Sequence, residues 1–250
     1  MGEDSLIGIS PGLGLKPGQL PDLIDSSMIS YAVASENDTG VPGADGYVAG
    51  RNSWIKRTEE FLKTYSDPKE ACVSGGETKP GSCFDLNQLG DCGIKPYGYD
   101  QGKPCVYLKL NKIYGVENEM FPDPIKDTVV EGKKIPDELV EVINLQPDKN
   151  QVWVECHGEY PADIEALGKI TYFPASQGFP GKYFPYKKET GYQSPIVAVQ
   201  FANARQNQLL HVECRAWAKN IGYNKRDRIG INHLELLILS DEAAKKVTGS

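Results

Sequence analysis

Apolar and polar residues alternate along several short stretches of this sequence, and a period of two is typical of half-buried β-strands. Two of these stretches, 151–156 and 210–217, each place a cysteine among the apolar positions. The residues on the apolar faces are Val152, Val154 and Cys156 in the first stretch and Leu210, Val212, Cys214 and Ala216 in the second. Two inward-facing cysteines on separate strands predict a disulfide bridge across a β-sandwich.

Three further stretches have the pattern of strands. Residues 105–110 and 231–239 alternate, so each has one apolar face. Residues 196–201 are apolar on both faces over most of their length, which predicts a strand in the middle of a sheet. Between the strands, 115–135 is a polar excursion that contains prolines, and 136–145 fits either a short helix or a turn.

One stretch, 53–65, has the period of a helix. Its apolar stripe consists of Trp54, Ile55, Phe61, Leu62 and Tyr65. Ser53 is a candidate cap for the first turn, and the Asp-Pro pair at 67–68 is expected to end the helix. A stripe of this kind predicts a helix that lies on a sheet.

These elements together predict a mainly β protein, an immunoglobulin-like β-sandwich with one helix packed on a sheet and with disulfide-pinned loops. The predicted division is an irregular segment at 1–50, the sandwich domain at 51–239 and a polar tail at 240–250. Trp153 and Trp217 lie opposite the cysteines on their strands, and we expect the predicted helix to cover both indoles.

Composition narrows the possible functions. The 17 prolines and 26 glycines indicate many turns, and the net charge of −7, without any run of more than two basic residues, argues against a nucleic acid partner. No apolar run approaches the roughly 20 residues that span a bilayer, and the acidic start is unlike a signal peptide. The cysteines nevertheless indicate an extracellular protein, so we expect an ectodomain separated from its targeting segment.

Six cysteines are present, at positions 72, 83, 92, 105, 156 and 214, and they allow 15 pairings. We favour sequential pairing, which closes two short loops and one long one. The predicted bridges are Cys72–Cys83, Cys92–Cys105 and Cys156–Cys214. Six free thiols in a cytosolic protein are the alternative. The single N-glycosylation sequon, at Asn37, fits the extracellular interpretation.

Candidate catalytic and metal-binding groups are sparse. Cys156-His157 and His211-x-x-Cys214 suggest zinc ligands, but strand geometry puts each histidine on the opposite face from its cysteine. The histidines are therefore interpreted as ordinary residues of the polar face. No G-x-S-x-G, P-loop, EF-hand or H-E-x-x-H motif occurs. The sequence predicts that the protein is not an enzyme and has no catalytic residue, cofactor or metal.

An aromatic segment, which we define as residues 172–192, is the most unusual feature of the chain. It holds seven of the 20 Tyr and Phe residues. They are Tyr172, Phe173, Phe179, Tyr183, Phe184, Tyr186 and Tyr192. Rigid rings on a proline-stiffened loop suit protein recognition, because they bury area at a low entropic cost. The alternative is that the rings fill the space beneath a long loop.

Several motifs in order resemble the β subunits of the Na,K-ATPase and of its H,K-ATPase relatives. The sharpest are GKITYFPASQGFPGKYFPY from Gly168 and QSPIVAVQF from Gln193. Others are GKPC at 102–105 and NIGY at 220–223, and the start of the chain resembles the segment just outside the membrane in insect-type members.

The resemblance implies a non-catalytic glycoprotein of the plasma membrane, a type II single-pass protein of which this chain is the extracellular part, with 1–50 membrane-proximal. It implies the three sequential disulfides and a role in the folding, assembly, surface delivery and K⁺ affinity of the pump's α subunit. The contact would be the extracellular loop between the seventh and eighth membrane helices of α. The interface residues carried over are Tyr183, Phe184, Pro185, Tyr186 and Tyr192.

Adhesion is the alternative function. A cell-surface adhesion module that acts independently of the pump, through contacts between β subunits, would also fit a sandwich with an acidic charge and a glycan site.

Overall fold

Two β-sheets pack face to face in the structure, a computed structural model that describes residues 13–17, 30–33, 41–43, 46–48, 51–66, 83–188, 191–240 and 242–243. The strands are β1 (Leu13–Lys16), β2 (Ser30–Val33), β3 (Val41–Gly43), β4 (Gly46–Val48), β5 (Cys105–Leu110), β6 (Val129–Val130), β7 (Lys133–Lys134), β8 (Gln151–Gly158), β9 (Thr171–Phe173), β10 (Gly178–Pro180), β11 (Ile196–Gln200), β12 (Leu209–Trp217) and β13 (Ile231–Ile238). The helices are α1 (Arg51–Ser66), α2 (Asp137–Leu145) and α3 (Pro161–Leu167).

The two sheets differ in size. The smaller has the strand order β1-β5-β11-β9 and the larger the order β10-β8-β12-β13-β2. All pairs in them are antiparallel except β2, which runs parallel to β13. Strand β11 is an interior strand, as its two apolar faces predict. Strands β5, β11 and β13 match the predicted stretches to within one residue at each end.

The core lies between the sheets. It is built from the alternating apolar residues of both, and Val106, Val197, Val154, Leu210 and Leu234 are all fully buried within it. Alternation places these side chains on the inner faces, and burial of their apolar surface stabilises the sandwich. The predicted fold class, a mainly β immunoglobulin-like sandwich, is confirmed.

Helix α1 covers the outer face of the smaller sheet. Trp54 and Leu62 are buried, and the Phe61 ring lies 5.6 Å from the ring of Tyr107 on β5. The prediction of a helix laid on a sheet is therefore confirmed, and the helix ends at Ser66 as predicted. Its start at Arg51 places Ser53 inside the first turn, so the prediction of Ser53 as the cap is wrong.

The outer face of the larger sheet is covered by different elements, so the prediction that α1 covers Trp153 and Trp217 is wrong. Both indoles are buried in a second apolar cluster, separate from the core that α1 joins. Its other buried members are Phe121, Ile125, Val130, Ile135, Leu139 and Ile143. The excursion 115–135 and α2 thus form a cover, because their buried apolar residues all belong to the cluster around the two indoles.

The first 50 residues contribute to both sheets, although they were predicted to be irregular. Strand β1 pairs with β5 at one edge, and β2 pairs with β13 at the edge of the other sheet. The Leu13 carbonyl also accepts a hydrogen bond of 3.0 Å from the side chain of Asn232 on β13. Glycines and prolines near β1 fit an edge strand, which needs only one set of hydrogen-bond partners.

The Cys156–Cys214 disulfide forms as predicted but does not cross the sandwich. The two cysteines stand directly opposite each other on the neighbouring strands β8 and β12, with a Cα–Cα distance of 4.0 Å. Alternation correctly gives the face of each cysteine but not which strand lies beside it. The predicted Cys92–Cys105 bridge also forms. Cys83 is disulfide-bonded, and its predicted partner Cys72 lies outside the described residues.

Candidate functional site

The aromatic segment has no ring that is mainly exposed. Phe179, Tyr183 and Tyr192 are buried, and the remaining rings are half-buried. Each interpretation of the segment therefore applies to some of the rings. The buried rings fill the interior, whereas Phe184 and Tyr186 keep part of their surface accessible to a partner. Pro185, between these two, is also half-buried.

Tyr183 and Tyr192 hold the backbone of the segment in place through hydrogen bonds of their hydroxyls. The Tyr183 hydroxyl donates a 2.8 Å hydrogen bond to the carbonyl of Cys83, and the Tyr192 hydroxyl donates one of 3.2 Å to the carbonyl of Tyr183. Burial, helped by the charge of Asp85, raises the pKa of Tyr183 to about 12. Its hydroxyl therefore remains a donor at physiological pH.

The loop after β5, residues 111–118, packs against one side of the segment. The rings of Tyr186 and Tyr192 lie 4.9 Å apart, and Lys112 Nζ lies 5.4 Å and 5.7 Å from their centroids. The Gly115 N–H donates a 2.9 Å hydrogen bond to the carbonyl of Tyr186. The cation over both rings favours their paired orientation.

A cleft opens between this loop and the aromatic segment. Its walls are the end of β5 at Leu110, residues of the loop 111–118, the rings of Phe184, Tyr186 and Tyr192, and the pairs 194–195 and 220–221. Its volume is about 450 Å³ with the open space at its mouth. The five predicted interface residues are thus brought together, and three of them line the cleft. Sequence analysis missed the loop, because its residues follow no periodic pattern.

The three histidines lie in a network of carboxylates on the outer face of the larger sheet. His233 Nδ1 lies 2.5 Å from Glu159 Oε1. His211 lies 3.6 Å from Asp163 Oδ2 and 3.8 Å from Glu235 Oε1. Within the described ranges, no group of His, Cys, Asp and Glu side chains is arranged to hold a metal ion. The network instead links α3 with β12 and β13 through contacts between histidine and carboxylate side chains.

The network makes stability depend on pH. Burial acts to raise the pKa of Glu159, but hydrogen bonds from His233 and Lys225 outweigh it and hold that pKa below its ordinary value of 4.5. A hydrogen bond to Glu155 raises the pKa of His157 above its ordinary 6.5. The Glu159 contribution is therefore lost as pH falls, and the His157 contribution is lost as pH rises.

We expect the free energy of unfolding to be largest between about pH 4.5 and 6.5, the ordinary pKa values of the two groups. Urea unfolding from pH 3 to pH 9 measures it. Glu159→Gln should flatten the acid side of this profile, and Glu138→Gln, on the exposed side of α2, should leave it unchanged. An unchanged acid side in Glu159→Gln would contradict the prediction.

Asn37, the predicted glycosylation site, lies outside the described residues, as does Cys72. Among the residues that the structure does describe, no helix has the length and apolar character needed to cross a membrane.

The fold and the cleft define the chain as a disulfide-bonded immunoglobulin-like sandwich with a partly accessible aromatic surface. Residues 4–233 match the family described as the sodium/potassium ATPase beta chain. The chain therefore belongs to the family of sodium/potassium ATPase β chains, which are accessory subunits of an ATPase.

Individual relatives agree with this assignment. The sodium/potassium-transporting ATPase subunit beta-1 of Drosophila melanogaster is 38% identical over 248 residues, which cover 94% of this chain and 73% of that protein. Subunit beta-2 of the same organism is 35% identical over 250 residues, with 94% and 72% covered. Subunit beta-1 of Tetronarce californica is 31% identical over 224 residues, with 79% and 69% covered.

Proposed function

We propose that this chain is the extracellular part of the non-catalytic β subunit of a Na⁺/K⁺-transporting P-type ATPase. It docks on the α subunit, promotes the folding, assembly and surface delivery of α, and modulates K⁺ affinity. It stands on the extracellular side of the plasma membrane as part of a type II single-pass protein. The observation that carries the proposal is the family match over residues 4–233.

The docking surface in this proposal is the aromatic segment, and the contact on α is the loop between its seventh and eighth membrane helices. Phe184, Pro185 and Tyr186 supply the accessible surface, and the buried Tyr183 and Tyr192 hold it in place. Support comes from the geometry, since the hydrogen bonds of both buried hydroxyls and the pairing of Tyr186 with Tyr192 fix the rings before any partner arrives. Preorganised rings lose little entropy on binding.

Replacing Phe184 and Tyr186 together by serine is expected to reduce the recovery of α at the cell surface by about tenfold or more, since central aromatic residues of an interface often contribute 2 kcal/mol or more. The measurement is surface biotinylation after co-expression of the full-length protein with α. The K⁺ dependence of ATP hydrolysis by the recovered pump is a second readout.

Tyr160→Ser is a matched control, because Tyr160 is 57% exposed and lies outside the aromatic segment. Undiminished α recovery in the double variant, with its melting temperature preserved, would contradict the docking assignment.

Adhesion stays a prediction, and bead aggregation by the isolated domain tests it. Aggregation that survives the double substitution would favour adhesion through another surface.

A further inference from the structure

All three histidines of the chain lie on the outer face of the larger sheet, opposite carboxylates on the neighbouring strands. His211 stands opposite Glu235 in the pairing of β12 with β13. Glu213, also on β12, stands opposite His157 on one side and His233 on the other. Side chains at such paired positions on one face are close enough to interact. The sheet therefore places each histidine where a positive charge would be balanced.

The network has fewer permanent positive charges than negative ones. Lys225 Nζ lies 3.2 Å from a carboxylate oxygen of Glu159 and 3.2 Å from one of Glu213, and Arg215 stands opposite Glu155. The carboxylates of the network are Glu155, Glu159, Asp163, Glu213 and Glu235. Five carboxylates thus face two permanent cations, and protonation of the three histidines supplies the missing charges. Since histidine gains its charge between about pH 8 and pH 5, the charge balance of this face depends on pH in that range.

His211 connects the network to α3, and each of its ring nitrogens faces a carboxylate. Its Nδ1 lies 3.6 Å from Asp163 Oδ2 on α3, and its Nε2 lies 3.8 Å from Glu235 Oε1 on β13. A neutral imidazole carries one N–H and can donate to only one carboxylate, whereas the protonated ring donates to both. His233 has the same arrangement between Glu159 and Glu235, with its ring 6.1 Å from that of His211. The geometry therefore suits charged rather than neutral rings.

Asp163 is the carboxylate that gains most from a charge on His211. It is 4% exposed, and its Oδ2 has no hydrogen-bond partner among the residues that the structure describes. A buried carboxylate oxygen without a partner costs free energy, and a charged N–H beside it lowers that cost. The ring of Tyr160, just before α3, packs edge-on against the imidazole, with the centroids 5.6 Å apart. The His211 side chain is itself 33% exposed, so solvent protons reach it.

The other contacts of α3 carry no charge that changes near neutral pH. At the end of the helix Ala166 is buried, and its carbonyl accepts a 2.8 Å hydrogen bond from the N–H of Arg205. Nearer the start, Ile164 is 58% exposed, and the backbone rests on Gly158 of β8, where a Cβ would lie 2.4 Å from the Ile164 nitrogen. The Asp163 carboxylate is therefore the point at which protonation of the sheet can change how firmly α3 is held.

We propose that α3 and His211 form a pH-dependent contact, which holds the helix more firmly against the larger sheet in mildly acidic than in neutral surroundings. As pH falls, His211 takes up a proton, and its two ring N–H groups then donate to Asp163 on α3 and to Glu235 on β13. As pH rises, one ring nitrogen loses its proton, and one of the two links is lost. The contact is separate from the proposed docking surface, because none of its residues belongs to the aromatic segment.

The test is hydrogen–deuterium exchange of this chain at pH 6.0 and pH 7.5, with labelling times corrected for the intrinsic exchange rate. Peptides that cover α3 are expected to be roughly threefold to tenfold better protected at pH 6.0, the range for a partly buried, charged hydrogen bond. Peptides that cover β11, in the other sheet, are the internal reference and should change by less than about twofold. Equal protection of α3 at the two pH values would overturn the proposal, and this comparison needs no variant.

Two variants identify the groups that carry the effect. His211→Gln and Asp163→Asn each remove a charge and keep a polar side chain of similar size, so both should make the protection of α3 equal at the two pH values. Asp163→Asn should also protect α3 at pH 7.5 at least as well as the unaltered chain, because it removes a buried, unpaired carboxylate oxygen. A merely structural role of Asp163 predicts lower protection at both pH values instead.

His157→Gln is the matched control, because His157 belongs to the same network but lies 3.0 Å from Glu155 and contacts no residue of α3 in it. It should keep the pH dependence of α3. Dependence that survives in His211→Gln, or that disappears in His157→Gln, would overturn the assignment to His211. Loss of the dependence in His233→Gln but not in His211→Gln would overturn it as well, since the proton would then belong to the other ring.

Discussion

Replacing both Cys156 and Cys214 by serine is expected to lower the free energy of unfolding by about 4 kcal/mol. The bridge joins residues 58 apart in the sequence, and a cross-link over a span of this length removes many conformations from the unfolded chain. The whole aromatic segment lies within that span, so the variant should also lose α recovery at physiological temperature. Urea denaturation of the isolated domain measures the change in stability.

The Cys92–Cys105 pair provides a control of the same chemistry. Three of the four cysteines in the two bridges are fully buried, and Cys156 is 6% exposed, so the serines meet similar surroundings. The second bridge joins residues only 13 apart, and its removal should cost about 3 kcal/mol. Equal losses, or the reverse order, would contradict an explanation based on the length of the closed loop.

Trp153→Ala is expected to lower the free energy of unfolding by about 3–5 kcal/mol, the usual cost of truncating a buried tryptophan. Trp153 is 1% exposed, in the cluster beneath α2 and the excursion 115–135. The loss combines the lost burial of the indole with the cavity that remains. Thermal and urea unfolding both measure it.

A double-mutant cycle tests which helix covers this tryptophan. Ile143 of α2 belongs to the same cluster as Trp153, whereas Leu62 of α1 belongs to the core of the sandwich. Trp153→Ala should therefore be non-additive with Ile143→Ala, by more than 0.5 kcal/mol, and additive with Leu62→Ala. Non-additivity with Leu62 alone would restore α1 as the cover.

Regular periodicity made much of the fold predictable. Strands β5, β11 and β13 follow from alternation, because one buried face selects apolar residues at every second position. Alternation does not predict which strands lie side by side in a sheet, as the Cys156–Cys214 bridge shows. A strand pattern fixes the face of a side chain, and only the pairing of β8 with β12 puts the two cysteines in one sheet.

The parts of the fold and of the candidate site that the sequence did not predict lie in irregular segments. Phe121 and Ile125 follow no helix or strand period, so the cover over Trp153 could not be inferred from the sequence. The same holds for the candidate site. The rings of the aromatic segment are evident from composition, but the loop 111–118 beside them is held by hydrogen bonds from Asn220, about 100 residues further along the chain.

The placement of β1 at the edge of the smaller sheet has a mechanical consequence. Interstrand hydrogen bonds of an antiparallel pair lie across the strands, so a pull along β1 from ahead of Leu13 loads its bonds to β5 in shear, all at once. The hydrogen bond from Asn232 to Leu13 passes part of that force to the larger sheet. For a subunit held to a bilayer ahead of residue 13, as proposed, tension from the membrane is shared by both sheets before it reaches the docking surface.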